Sequence, residues 1–165
     1  MEILRYPDPR LKAPNAPLER FGPEEQAKVE EMYRLMANVD GVGLAAPQVG
    51  WNVRLFILSF AGPEDAEAKV FVFWNPTLEL HGEKILMSEG CLSFPGIPGD
   101  VERWTHARLV AETPGGKIDV AVSGFPAQAV QHEMDHIDGV LFIDRMSPVE
   151  RARMEPLLEE LRKKH

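Results

Sequence analysis

The hexapeptide Gln131-His132-Glu133-Met134-Asp135-His136 constrains this chain more than any other stretch. Two histidines four apart, with a glutamate directly after the first, form an H-E-x-x-H signature. On a helix, positions i and i+4 lie one turn apart on one face. Both imidazoles can then reach a single cation, while Glu133, about 100° round, can hold a water beside it. An ordinary helix can carry so short a pattern, but its flanks are those of a defined helix: Pro126 precedes it and Gly139 follows it, the order expected at a helix start and a helix end. Val130, Met134 and Ile137 form an apolar stripe nearly opposite the histidines, so one face is expected to pack on the core and the other to present ligands. Two ligands do not complete a site. The only cysteine, Cys91 in Glu89-Gly90-Cys91-Leu92-Ser93, supplies a third, and a Cys/His/His set leaves one coordination position open for water or substrate.

The chain has 165 residues with 44% hydrophobic content, enough for one domain spanning 1–165 around a proper core. Its net charge of −8 argues against DNA as a partner and against nonspecific RNA binding, both of which need a basic surface. No apolar run approaches membrane-spanning length, and Met1-Glu2-Ile3-Leu4-Arg5 carries no basic, apolar signal region. A cytoplasmic protein is expected. A lone cysteine excludes an internal disulfide.

Periodicity and punctuation predict an α+β fold. Leu4 to Leu11, broken by Pro7 and Pro9, reads as an extended N-terminal arm. From Pro23 to about Asn38, Val29, Met32, Tyr33 and Met36 follow a helical spacing that ends at Asp40-Gly41. Short β-rich runs follow at Val53–Phe60, Val70–Trp74, Thr77–His81, Ile85–Glu89, His106–Glu112 and Lys117–Ser123, with Gly62–Glu67 as a polar loop and Pro114-Gly115-Gly116 as a hairpin turn. After the H-E-x-x-H helix, Ser147-Pro148-Val149-Glu150 reads as a capping box opening a C-terminal helix from about 147 to 164 that turns Leu157, Leu158 and Leu161 inward. The expected architecture is antiparallel sheets packed around a central metal-binding helix, with N-terminal and C-terminal flanking helices.

A third segment, Gly41-Val42-Gly43-Leu44-Ala45-Ala46-Pro47-Gln48-Val49-Gly50, has small residues that permit close approach of the backbone to a ligand, and Gln48 offers an amide donor. Its glycine spacing does not match a dinucleotide-binding fingerprint. Taken together, Gly41 to Gln48, Glu89 to Ser93 and Gln131 to His136 resemble, in that order, the three motifs of the peptide deformylases, and the similarity extends from the Pro7-Asp8-Pro9 arm to about Phe142. The resemblance implies removal of the formyl group from the N-terminal formylmethionine of new polypeptides, with release of formate. It implies that Cys91, His132 and His136 hold one divalent metal ion, that Glu133 is the general acid/base, and that Gln48 and the backbone N–H of Leu92 stabilise the oxyanion. Iron(II) is the ion implied, and zinc satisfies the same Cys/His/His/water set.

Substrate-binding positions are expected at Gly41, Val42, Gly43 and Gly90, and at Phe125 and Ala129, which project toward the histidine face. Phe125 precedes Pro126 and could fall outside the helix. Gln128 is polar where the resemblance implies an aliphatic residue. Asp135 is expected to pair with Arg103 behind the ligands. Two other classes remain open on the H-E-x-x-H pattern. A zinc peptidase takes its third ligand downstream, whereas this chain offers an upstream cysteine. A metal-stapled binding module needs a fourth protein ligand, and His81, His106 and His165 read as isolated surface or packing residues. Finally, Arg162-Lys163-Lys164-His165 puts a basic tip on the last helix. It stabilises the negative end of the helix dipole, or contacts the ribosome that carries the nascent chain.

Overall fold

The computed structural model describes residues 1–60 and 67–164. The loop expected at Gly62–Glu67 lies outside them except at Glu67, and so does His165. Among the described residues, five strands form one antiparallel sheet in chain order: β1 (Gly43–Ala45), β2 (Leu55–Phe60), β3 (Lys69–Cys91), β4 (Phe94–Thr113) and β5 (Gly116–Ser123). Three α-helices accompany them: α1 (Pro23–Ala37), α2 (Gly124–Ile137) and α3 (Pro148–Lys164). The class is α+β, as expected.

The sheet is less fragmented than the sequence suggests. The three runs expected between Val70 and Glu89 are one long strand, β3, whose register against β4 shifts between Trp74 and Thr77 and between His81 and Lys84. Asn75 and Gly82 sit at these shifts with φ of 48° and 88°. A β-bulge bends a strand without ending it, yet in sequence its Asn-Pro and Gly punctuation looks like a turn. β4 likewise starts at Phe94 rather than His106, and its Pro95, Gly96, Pro98 and Gly99 disguise the extension. The second half of β3 and the first half of β4 form a hairpin closed by Leu92 and Ser93, with Cys91 paired to Phe94 at its tip. His81 and His106, expected to be isolated, face each other across β3 and β4 with ring centroids 5.4 Å apart.

Helix α2 crosses the sheet and is covered on nearly every side. Ala127, Val130 and Ile137 pack against Phe56 and Leu58 of β2 and Ala107 and Leu109 of β4. Gln131 ties the helix to β4 by gripping one peptide unit: its Oε1 accepts the Trp104 N–H at 3.0 Å and its Nε2 donates to the Trp104 carbonyl at 2.8 Å. The two-faced helix expected from its stripe is therefore corrected: Gln131, His132, Glu133, Asp135 and His136 are buried as well, while Met134 is only partly buried. Phe125 lies inside the first turn of α2, not before it. Gly139, at φ 73°, ends the helix in the left-handed conformation, with the Val140 N–H returning to the Asp135 carbonyl at 2.8 Å.

The flanking helices use narrower faces than predicted. α1 buries Val29, Met32 and Met36, but Tyr33 is 42% exposed. α3 buries Met154, Leu158 and Leu161, one line at i, i+4 and i+7, and Leu157 falls on the rim. Ser147 caps α3 by accepting the Glu150 N–H at 3.1 Å. The reciprocal half of the expected capping box is redirected, because the Glu150 carboxylate accepts the Asp100 N–H at 2.7 Å and so fastens α3 to β4. The N-terminal arm buries Leu4 and Leu11. Its Leu4 N–H donates to the Gln48 carbonyl at 2.7 Å and its Tyr6 N–H to the Ser93 carbonyl at 2.9 Å. One segment thus clamps two of the loops that carry candidate site residues. Among the described residues, no helix is long and apolar enough to cross a membrane.

Candidate metal centre

The turn at the β3–β4 tip brings Cys91 to the face of α2 that carries the histidines. Cys91 Sγ lies 3.3 Å from His136 Nε2, which lies 3.3 Å from His132 Nε2, and the three ligand atoms all fall within 4.8 Å of one another. Sulfur and nitrogen ligands placed about 2.0–2.3 Å from a tetrahedral ion stand roughly 3.3–3.6 Å apart, so two of the separations already suit a shared cation.

The surrounding charges suit one too. His132 Nδ1 lies 2.7 Å from Glu89 Oε1. A carboxylate there fixes the proton on Nδ1 and turns the Nε2 lone pair toward Cys91 and His136. Glu89 is itself held by Arg103, with Nε donating to Oε2 at 2.6 Å and Nη2 to Oε1 at 2.9 Å. Burial alone would raise the Glu89 carboxyl, but the bonds from Arg103 and His132 outweigh it and hold it at about 2. Burial likewise opposes charge on His132, yet the Cys91 sulfur and Glu89 raise its affinity for a second proton, at the Nε2 position that a bound cation would occupy in the proton's place. His136 goes the other way, lowered by burial and by the neighbouring His132, so it stays a neutral donor. A soft sulfur, a neutral imidazole and a ring backed by a carboxylate fit a borderline divalent ion such as Fe(II) or Zn(II).

Glu133 and Gln48 flank these atoms. Glu133 is 4% exposed, and its Oε2 has no hydrogen-bond partner among the described residues. Burial, opposed by His132 and supported by Glu89, raises its carboxyl to about 7. Such a group can both take and return a proton near neutrality. The carboxylate packs against a bare backbone: a Cβ on Gly43 would lie 2.8 Å from Glu133 Oε1 and 2.9 Å from Leu58 Cδ2. The amide of Gln48 is oriented without ambiguity, because its Oε1 accepts the Ala45 N–H at 2.9 Å. Its Nε2 must then be the donor, reaching Ser93 Oγ at 3.0 Å and Cys91 Sγ at 3.6 Å.

A cavity of about 270 Å³ opens on this cluster. Gly41, Val42, Gly43, Gly90, Leu92, Phe125, Gln128 and Ala129 line it together with Gln48, Cys91, His132 and Glu133. Phe125 stands at the mouth, 54% exposed and edge-on to Phe60 with centroids 6.0 Å apart. Gln128 turns its amide to the rim, donating to the Ser88 carbonyl at 2.9 Å. On the far side of α2, Arg103 Nη1 donates to Asp135 Oδ2 at 2.7 Å, and Arg145 Nη2 donates to Asp135 Oδ1 at 3.0 Å. Sequence reasoning missed Glu89 as the His132 partner, Ser93 as the Gln48 partner, and Arg145. Glu89 carried a signal, as a carboxylate two residues from the cysteine in a β-rich run. Arg145 carried none, since its contact depends on the chain folding back after Gly139.

Proteins of one family are similar to this chain in both fold and sequence. A solved structure of an Arabidopsis thaliana peptide deformylase 1B mutant superimposes with a TM-score of 0.93 at 40% identity, covering 99% of this chain and 90% of that one. A Plasmodium falciparum peptide deformylase superimposes with a TM-score of 0.90 at 33% identity, covering 99% and 96%. In sequence, the chain is 39% identical to a peptide deformylase of Rhizorhabdus wittichii, covering 98% of this chain and 94% of that protein. It is also 39% identical to the chloroplastic peptide deformylase 1B of Solanum lycopersicum over 100% of its own length, but it spans only 60% of that relative. Since a family model described as polypeptide deformylase matches residues 1–152, the chain belongs to the polypeptide deformylase family.

Proposed function

We propose that this chain hydrolyses the formyl amide at the N-terminal formylmethionine of newly made polypeptides, releasing formate and a free amine. The observation that carries this reading is the convergence of the Cys91, His132 and His136 ligand atoms with Glu133 and the Gln48 amide on one cavity. A divalent ion held by Cys91, His132 and His136 would supply Lewis-acid chemistry near neutral pH. Glu133 takes the proton from the attacking water and delivers it to the departing amine nitrogen. Gln48 Nε2, with the Leu92 N–H, donates to the oxygen of the formyl carbon as it becomes tetrahedral. Gly41, Val42, Gly43 and Gly90 let the peptide backbone approach, and Phe125 and Ala129 offer apolar surface to the methionine side chain. Arg103 and Asp135 steady the ligands from behind. The resemblance favours iron(II), and zinc fits the same donors.

The cytoplasmic setting expected from the sequence and contact with the ribosome through α3 belong to this reading. Arg162 is engaged by Glu155, Glu159 and the Tyr6 hydroxyl, so attraction to RNA would fall mainly to Lys163 and Lys164.

The test is to load the protein with metal in the absence of oxygen and offer formyl-Met-Ala-Ser, acetyl-Met-Ala-Ser and unblocked peptides. Formate and a new amine are expected from the first alone. Cleavage of internal amides without formate would replace this reading with the peptidase one. Two substitutions probe its parts. Cys91→Ser exchanges a thiolate for a neutral hydroxyl and is expected to weaken zinc binding by at least about 10-fold in a chelator competition; parent-like affinity would make Cys91 a packing residue. Gly43→Ala drives a methyl into the Glu133 carboxylate and is expected to lower kcat by about 10²-fold, the cost of an ångström-scale misplacement, with metal content unchanged. An unchanged kcat would show that the position of Glu133 is not set by this contact.

A further inference from the structure

The ion pairs behind the ligands run outward to an arginine that half faces solvent. Arg145 ends the 3₁₀ turn Phe142–Arg145, and its side chain is 51% exposed. It holds both oxygens of Asp135, through Nη2 at 3.0 Å and Nε at 3.3 Å. Asp135 shares Arg103 with Glu89, and Glu89 accepts from the Nδ1 of His132. We propose that Arg145 is a positioning residue for the metal centre: by holding Asp135 from outside, it leaves Arg103 free to grip Glu89, and Glu89 to orient His132.

The argument is one of shared partners. Arg103 is 4% exposed and serves two buried carboxylates with a single guanidinium. With Arg145 in place, two arginines face two carboxylates and the set is balanced. Without it, Arg103 is the one remaining side-chain partner of Asp135 among the described residues, and the attraction on that guanidinium shifts away from Glu89. Glu89 then holds the His132 ring less firmly and raises its basicity less, which are the two ways a carboxylate behind an imidazole tunes a metal. Asp135 also lies between the two histidine ligands on α2, so any drift in it moves the backbone that carries them. A cavity of about 460 Å³, bordered by Lys84, Trp104, Met134 and Arg145, lies behind α2. Removing the charge of Arg145 there alters the ion pairs without opening a hole in the core.

The inference rests on the metal centre in the proposed function, and its test does not depend on peptide hydrolysis. The variants are Arg145→Met, which keeps an apolar stem, Arg145→Lys, which keeps the charge, and Arg108→Met as a control, since Arg108 pairs with Asp119 and Glu79 on the exposed sheet. Zinc affinity is measured by chelator competition, and the visible spectrum of the cobalt(II)-loaded protein is recorded. Loss of a partner directly behind a ligand costs about 10–100-fold in affinity. One step further out, Arg145→Met is expected to cost about 10-fold and to shift the cobalt bands, Arg145→Lys to recover part of the affinity, and Arg108→Met to change neither. Parent-like zinc affinity and spectrum in Arg145→Met, or an equal loss in Arg108→Met, would overturn the proposal. If no protein, the parent included, released formate, the deformylase reading would fail while the zinc and cobalt measurements still decided the role of Arg145.

Discussion

Glu133→Gln is expected to lower kcat for formyl-peptide hydrolysis by about 10²–10⁴-fold, the contribution of a well-placed general acid/base, while the protein keeps one metal ion per chain. Size and burial are preserved in this substitution, so the packing against Gly43 survives. The amide cannot accept the proton of the attacking water or hand it to the leaving nitrogen. Retention of metal follows from the geometry, in which the cluster of possible ligand atoms is Cys91, His132 and His136, without Glu133. Metal analysis alongside steady-state kinetics checks both halves. Loss of the ion, or a kcat within a few-fold of the parent, would remove Glu133 from the assigned role.

The second large effect is expected at Gln48. Gln48→Ala removes a donor fixed beside the Cys91 sulfur and should lower kcat by about 10²–10³-fold, as loss of one oxyanion donor does, with KM little changed. The substitution also leaves the buried Ala45 N–H without its Gln48 Oε1 partner, at a cost of about 1–3 kcal/mol. Thermal unfolding of the variant must therefore be measured with its kinetics. A variant that is as stable as the parent and turns over at the parent rate would mean that Gln48 only braces the loop. A rise in KM alone would move its role from the transition state to substrate binding.

What could be read from the residues depended on the distance over which each contact acts. The H-E-x-x-H helix was legible because i and i+4 are neighbours by helical geometry alone, and Gly139 ends the helix where its position suggested. Cys91 was reachable by chemistry rather than spacing, as the one thiol in a chain with two poised histidines. In sequence, Asn75-Pro76, Gly82 and the Pro95–Gly99 stretch look like chain reversals, whereas in the fold the irregular register of β3 against β4 absorbs them. Helical spacing points Tyr33, Met134 and Leu157 inward, but α1 and α3 bury narrower lines than their apolar residues suggest, while α2 buries its ligand-bearing face as well and leaves Met134 only partly buried. Glu89, Ser93 and Arg145 act through partners 43, 45 and 10 residues away in the chain. Only the packing of the β3–β4 hairpin and of the turn after α2 decides which of the many carboxylates and arginines meet.

The most direct measurement is a titration of metal into metal-free protein, made without oxygen, with formate release from formyl-Met-Ala-Ser followed at each addition. The account predicts a rate that rises in proportion to the ion added and levels off at one ion per chain, and Glu133→Gln protein that takes up the same single ion yet stays near zero throughout. Formate release independent of added metal, or a plateau that Glu133→Gln reaches as readily as the parent, would contradict it.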